Sequence, residues 1–275
     1  MNYFKLSFSL DPIEPFRDIL IAQLGDLQFE SFVETETGFD AYIAQDLWSD
    51  DWNLNEVDRF PDVQVSYSKE LVQDQNWNEE WEKNFDPILI GDECYIRATF
   101  HEAMPQFPYE IVITPKMSFG TGHHQTTTMM VQLALEMGFD AKDVLDMGAG
   151  TAVLAILAGM KGAKDITAID IDEWAFENAK ENVAMNGYEK IKVFLGGAEV
   201  LGNENYDIIF ANINRNILLE DIPAYTQVLN TRGKLLLSGF YQEDIPLIQD
   251  KCASVGLKLE KSKNIDNWAA LQFEN

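Results

Sequence analysis

The chain has 275 residues, 46% of them hydrophobic, and a formal net charge of −26. That length suits two domains or one large one; the charge argues against a direct grip on nucleic-acid phosphates, and no apolar run is long enough to span a membrane. Two cysteines, Cys94 and Cys252, are too few for a disulfide framework and lack metal-ligand spacing, so no metal is expected and a reduced, cytoplasmic setting is. The opening residues Met1–Lys5 lack the basic-then-apolar pattern of a signal peptide, which agrees with that location.

In chain order, residues 3–9 alternate as a strand does, and Ile13, Phe16, Ile19, Leu20 and Leu24 follow at helical spacing over 12–24, with Pro12 and Pro15 at its start. Phe29–Glu34 and Phe39–Ala44 read as strands around the Thr37-Gly38 turn. A short helix over Asn53–Phe60, closed by Pro61, and a strand over Val63–Tyr67 complete a β-α-β-β-α-β order, the ferredoxin-like pattern, in a small domain spanning 1–72. Residues 1–85 carry 5 Lys/Arg against 19 Asp/Glu, a net −14 that leaves −12 for the remaining 190 residues. Solubility and attraction of a basic partner both account for such an excess.

Residues 73–92 read as a linker, helical up to the Asp86-Pro87 stop, with Trp77, Trp81 and Phe85 on one face. From residue 93 the pattern changes. Cys94–Phe100 and Glu110–Thr114 read as a hairpin pair, and a helix follows over about 125–137. Strands at 142–147, 165–170, 190–195, 206–211 and 233–238 then alternate with helices at 152–160, 173–186, 215–229 and 242–254. This is the signature of a mostly parallel sheet with helices on both faces. The last strands, near 257–261 and 268–273, lack a helix between them and predict an antiparallel edge.

The informative motif is Val144–Ala152, Val-Leu-Asp-Met-Gly-Ala-Gly-Thr-Ala, followed by Ile169-Asp170-Ile171-Asp172. It reads as strand, glycine turn, helix and a second strand with an acidic end, the layout that brings a nucleoside to a parallel sheet edge. A dinucleotide fingerprint asks for a third glycine where Val153 stands, which weakens a nicotinamide reading. The S-adenosylmethionine turn of Rossmann-like methyltransferases asks for an acid and glycines on alternate positions. Asp146, Gly148 and Gly150 match it, and Ala152 departs from it at a helix start, where ordinary backbone angles are expected to admit alanine. Asp146 is expected to meet an ammonium group. Asp170, 22 residues beyond Gly148, is expected to bind ribose, with Asp172 as the helix cap. Met117–Thr127 forms a glycine- and threonine-containing loop leading into a helix, whose adjacent histidines lack a third metal ligand. Asn212, at another strand end, offers a side-chain oxygen to a target amine, and Leu235–Phe240 ends a neighbouring strand at the same edge.

Taken together, Phe119–Thr127, Val144–Gly150, Ile169–Asp172, Asn212 and the linker stretch Asn76–Lys83 resemble the ribosomal protein L11 methyltransferase family of bacteria. The resemblance implies a class I methyltransferase domain over 93–275 behind a substrate-recognition domain. It implies methylation of lysine side chains and the N-terminal α-amine of a basic large-subunit protein, free or on the ribosome, with S-adenosylmethionine as cofactor; a two-domain monomer is the default expectation. By motif position it carries over Phe119, Thr126, Gly148, Gly150, Asp170 and Asn212 to the cofactor pocket, beside Asp146. Asn212 and the Ile213 carbonyl are expected to orient the amine. The chain departs from the family at Ala152 and at Gln125. The rival readings are a same-fold methyltransferase for another protein or small amine, an oxidoreductase, and a non-catalytic cofactor-binding module of the ribosome.

Overall fold

The computed structural model describes residues 2–49, 63–72, 85–115 and 124–275. The helix expected over Asn53–Phe60, the linker residues 73–84 with Trp77 and Trp81, and the loop residues 116–123 with Phe119 lie outside the described residues. The chain divides into two compact units, Met1–Asn84 and Phe85–Asn275.

In the first unit, β1 (Tyr3–Asp11), β2 (Ser31–Thr35), β3 (Gly38–Ala44) and β4 (Gln64–Val72) form an antiparallel sheet in the order β2-β3-β1-β4. Leu6, Phe8 and Leu10 alternate onto the inner face of β1 and pack with Phe39, Ala41 and Ile43 of β3. They meet Leu20 and Leu24 of α1 (Phe16–Asp26). The helix starts four residues later than its apolar spacing predicts, because each proline drives the residue before it, Asp11 and Glu14, out of helical conformation.

The second unit carries the predicted alternation. Its large sheet runs β10-β9-β8-β11-β12-β14-β13. In chain order the strands are β8 (Asp143–Met147), β9 (Asp165–Asp170), β10 (Lys192–Leu195), β11 (Tyr206–Asn212), β12 (Leu229–Tyr241), β13 (Lys258–Ile265) and β14 (Trp268–Glu274). All pairings are parallel except those of β14 with β12 and with β13, the expected antiparallel edge. The helices are α2 (Gln125–Leu135), α3 (Val153–Met160), α4 (Glu173–Met185), α5 (Arg215–Val228) and α6 (Ile245–Ser254). Strand parity sorts them onto two faces. Val144, Ile208, Phe210 and Leu236 pack with α2, α3 and α4, whereas Leu145, Ile209, Ala211 and Leu237 pack with α5 and α6. Strand order reverses between β8 and β11, the switch point where ligands of such sheets bind.

One predicted pairing is overturned. β6 (Cys94–Ala98) and β7 (Tyr109–Ile113) run parallel, not as a hairpin. The antiparallel partner of β6 is the short β5 (Ile88–Ile90), reached through the turn at Gly91. Three strand residues directly after Pro87 carry too little alternation to announce a strand. The long connection 99–108 then returns the chain to run β7 alongside β6 in the same direction.

Candidate functional site

The turn after β8 is left-handed at alternate residues: Gly148 at φ +64°, Gly150 at +55° and Ala152 at +61°. Ordinary helix-start angles, expected at Ala152, are therefore not what the chain adopts. Ala152 is the wholly buried N-cap of α3, and an L-residue in this region costs about 1–2 kcal/mol relative to glycine. Its N–H donates to the Ala149 carbonyl at 2.7 Å, which tightens the turn. Gly148 is fixed by space as well as angle, since a Cβ there would sit 2.1 Å from Cγ2 of Ile213.

Asp146, one residue before the end of β8, is buried to 1% exposure and accepts from the Ala155 N–H at 3.1 Å. Burial pushes its carboxyl well above the ordinary range; the Ala155 N–H opposes this and the charge of Asp170 adds to it. No cation among the described residues pairs with it. Asp170, the last residue of β9, accepts from the Gly150 N–H at 2.8 Å through one oxygen and from the Asp172 N–H at 2.9 Å through the other. Asp172 caps α4 by accepting from the Trp174 and Ala175 N–H groups, as its position predicts.

Asn212 ends β11 in register with Ser238 of β12. Its Nδ2 lies 3.4 Å from the Thr127 hydroxyl, and its buried Oδ1 has no hydrogen-bond partner among the described residues. The next residue, Ile213, donates its N–H to the Ser238 carbonyl at 3.1 Å. Its own carbonyl runs beside Gly239, at φ +96°, where a Cβ would approach that oxygen to 2.1 Å.

A pocket at this switch point is lined by Thr127, Asp146, Gly148, Ala149, Thr151 and Asn212, among others. Of the residues singled out in the sequence, it brings together Asp146, Gly148 and Asn212. Gly150 and Asp170 stand beside them, joined by their hydrogen bond. Thr126 is wholly buried and turned to His124, whose Nδ1 accepts from its N–H at 3.3 Å and lies 2.8 Å from its hydroxyl. Thr127, one position on, faces the pocket instead. Sequence reasoning missed Thr127, Ala149 and Thr151, and it missed an aromatic row. The His124 ring meets Trp268 edge-on with centroids 4.5 Å apart, and Trp268 lies 4.2 Å from the Tyr241 ring. Trp268 opens β14 beside Tyr241 at the end of β12, so only the antiparallel register brings it there.

The donor set has a clear chemical preference. A buried carboxyl with no cation beside it among the described residues suits an ammonium group, and the second acid suits hydroxyls. The orphan Asn212 oxygen calls for an N–H or O–H donor. A nucleoside bearing an amino acid, as S-adenosylmethionine does, meets these demands.

Comparison with known proteins agrees. The family model described as Ribosomal protein L11 methyltransferase (PrmA) matches residues 19–275. A curated relative of that name from Phocaeicola vulgatus is 46% identical over 278 residues, 99% of each chain. One from Porphyromonas gingivalis is 46% identical over 283 residues, 99% of this chain and 98% of its own. Among solved structures, the ribosomal protein L11 methylase from Lactobacillus delbrueckii subsp. bulgaricus superposes with a TM-score of 0.64 at 26% identity, covering 69% of this chain and 97% of its own.

Proposed function

The chain belongs to the ribosomal protein L11 methyltransferase family and methylates that protein with S-adenosylmethionine, and from this premise we propose that it acts on lysine ε-amines and the N-terminal α-amine. The observation that carries the reading is the buried Oδ1 of Asn212, an acceptor at the switch point with no hydrogen-bond partner among the described residues.

When bound, the cofactor supplies a sulfonium methyl already activated for transfer. The work left to the protein is alignment and exclusion of water. Asp146 would hold the ammonium of the methionine portion, the turn at Gly148–Ala152 would bring its backbone close, and Asp170 would accept from the ribose hydroxyls. Thr126 supports this pocket by fixing the start of α2. Asn212 Oδ1 and the Ile213 carbonyl accept from the target amine and turn its lone pair toward the methyl.

The amine must be neutral to attack. A lysine, with a reference pKa of about 10.4, has further to go than an α-amine near 7.7–8.0, and desolvation at the buried Asn212 end lowers either. Its proton leaves to water.

We assign substrate recognition to the first domain, residues 1–72, joined by the linker 73–92 to the catalytic domain 93–275. The support is electrostatic: residues 1–85 hold −14 of the −26 net charge, and ribosomal proteins are basic. The same charge disfavours a direct phosphate grip. Among the described residues no helix is long and apolar enough to cross a membrane. A monomer working in the cytoplasm, where its substrate is made, completes the reading.

Intact-mass spectrometry of the purified substrate tests it. Stepwise methyl additions, mapped to lysines and the N-terminus by peptide fragmentation, are expected with the wild-type enzyme and about 100-fold more slowly with Asn212→Ala. Additions confined to other residue types would overturn the amine assignment.

A further inference from the structure

Asparagines 178, 182 and 186 recur every fourth residue along α4 and its C-cap, and so share one face. Their amides complete the outer edge of β7. Asn186 accepts from the Val112 N–H at 2.9 Å and donates to its carbonyl at 2.7 Å. Asn182 accepts from the Thr114 N–H at 2.8 Å, and Asn178 donates to the Thr114 carbonyl at 3.2 Å. Satisfying an edge strand is a structural task, and two of the three do nothing more for the cofactor turn.

Asn182 reaches further. While its Oδ1 holds Thr114, its Nδ2 donates to the Thr151 carbonyl at 3.0 Å, and the residue is wholly buried. That carbonyl belongs to the peptide entering Ala152, the left-handed alanine of the cofactor turn. The peptide is gripped from both sides: Ala152 N–H by the Ala149 carbonyl, Thr151 carbonyl by Asn182. A strained backbone angle persists where its surroundings over-determine it.

We propose that Asn182 is a positioning residue for S-adenosylmethionine binding: it holds the Thr151–Ala152 peptide in the left-handed geometry that this chain's alanine resists. It acts through the turn and not by contact with cofactor or substrate. The proposal rests on the assignment of the Gly148–Ala152 turn to the cofactor. It ties the departure at Ala152 to a specific compensating side chain 30 residues away.

The test is a double-mutant cycle on the full-length enzyme: Asn182→Ala, Ala152→Gly and both together. Affinity for S-adenosylhomocysteine is read by calorimetry, alongside kcat, KM for the cofactor and thermal unfolding. Asn182→Ala is expected to weaken the calorimetric affinity about 10-fold and raise KM alike, the factor one lost hydrogen bond carries. With cofactor saturating, kcat is expected to stay within about 2-fold. Adding Ala152→Gly is expected to restore most of the affinity, since glycine takes the angle without a clamp. Asn178→Ala, which cuts only a bond to Thr114, is expected to lower the melting temperature and leave affinity unchanged. Asn182→Ser serves in the cycle where the alanine variant does not fold. Failure of Ala152→Gly to restore affinity, or an equal affinity loss in Asn178→Ala, would overturn the proposal. Cofactor affinity indifferent to Asp170→Ala would overturn the assignment of the turn itself, and this proposal with it.

Discussion

Asn212 and Thr127 face each other at 3.4 Å, amide nitrogen toward hydroxyl, while the Asn212 amide oxygen is buried with no hydrogen-bond partner among the described residues. If Asn212 orients the amine as proposed, this pairing assigns its nitrogen to Thr127 and its oxygen to the substrate. Asn212→Ala should lower kcat about 100-fold, the effect of misplacing a reacting group by about an ångström. Thr127→Val keeps the shape and removes the partner, so a smaller fall of about 10-fold is expected. Asn212→Asp should favour the charged amine and move the pH–rate profile to higher pH. Steady-state kinetics over pH check all three; a profile unmoved in Asn212→Asp would separate the residue from the amine.

Asp146 is a carboxyl that folding alone makes uncomfortable. Its folded pKa lies well above the unfolded value near 3.8, so the stability linked to its protonated form is lost as pH rises above 3.8 through the folded value. Asp146→Asn keeps the shape without the charge. The cofactor-free variant should therefore melt above the wild type at neutral pH, while cofactor affinity falls by 10-fold to about 100-fold, the range of a lost charge-assisted hydrogen bond. In the wild type, affinity should rise with pH through the same titration. Calorimetry and thermal unfolding in matched buffers check this; a variant both less stable and unchanged in affinity would contradict it.

The parallel sheet and the cofactor turn are legible in the sequence because periodicity and glycine spacing are local signals. Val144 and Leu145 announce a strand buried on both faces before any contact is known. What stays hidden is imposed from a distance. β7 reads as a hairpin arm because nothing local says that side chains of α4 will satisfy its edge. The angle at Ala152 is set by Ala149 and Asn182, not by its neighbours' identities. Trp268 reaches His124 and Tyr241 only through antiparallel pairing with β12, and Thr127 rather than Thr126 lines the pocket because His124 claims the first threonine.

Gly239 makes room for the Ile213 carbonyl. An alanine there would combine a φ of +96° with a Cβ 2.1 Å from that oxygen, so the Ile213 backbone must move. Gly239→Ala is expected to destabilise the fold by more than about 1 kcal/mol, the usual effect of a side chain at a positive angle. It should also lower kcat about 10-fold at temperatures where it remains folded. Single-turnover rates beside urea unfolding separate the two effects; an undiminished rate would show that the carbonyl does not orient the amine.

His124 caps α2 with a neutral ring nitrogen, and burial lowers its pKa. Protonation replaces the acceptor with an N–H facing the Thr126 N–H. Because the folded pKa lies below the ordinary 6.5, the folded state binds fewer protons just below that pH, and stability is lost as pH falls. Asp146 contributes the opposite slope, so the wild type must be compared with His124→Asn, which retains a capping oxygen. The difference in urea midpoint between the two should narrow or reverse from neutral pH to below 6. Parallel midpoints across that window would show that the ring does not titrate with folding.

The first unit's charge makes a kinetic prediction. Asp18, Asp26 and Glu36 are exposed acids of that unit, and none of them takes part in an ion pair among the described residues. Reversing all three to lysine leaves the catalytic pocket untouched but changes the local charge by six. Steering of a basic protein acts on association, so kcat/KM for the protein substrate should fall about 10-fold at low salt. With the substrate saturating, kcat should hold. The slope of log kcat/KM against log salt should flatten, because fewer attractive charges remain to be screened. A slope identical to that of the wild type would return the acidic excess to solubility and move recognition of the substrate to uncharged contacts.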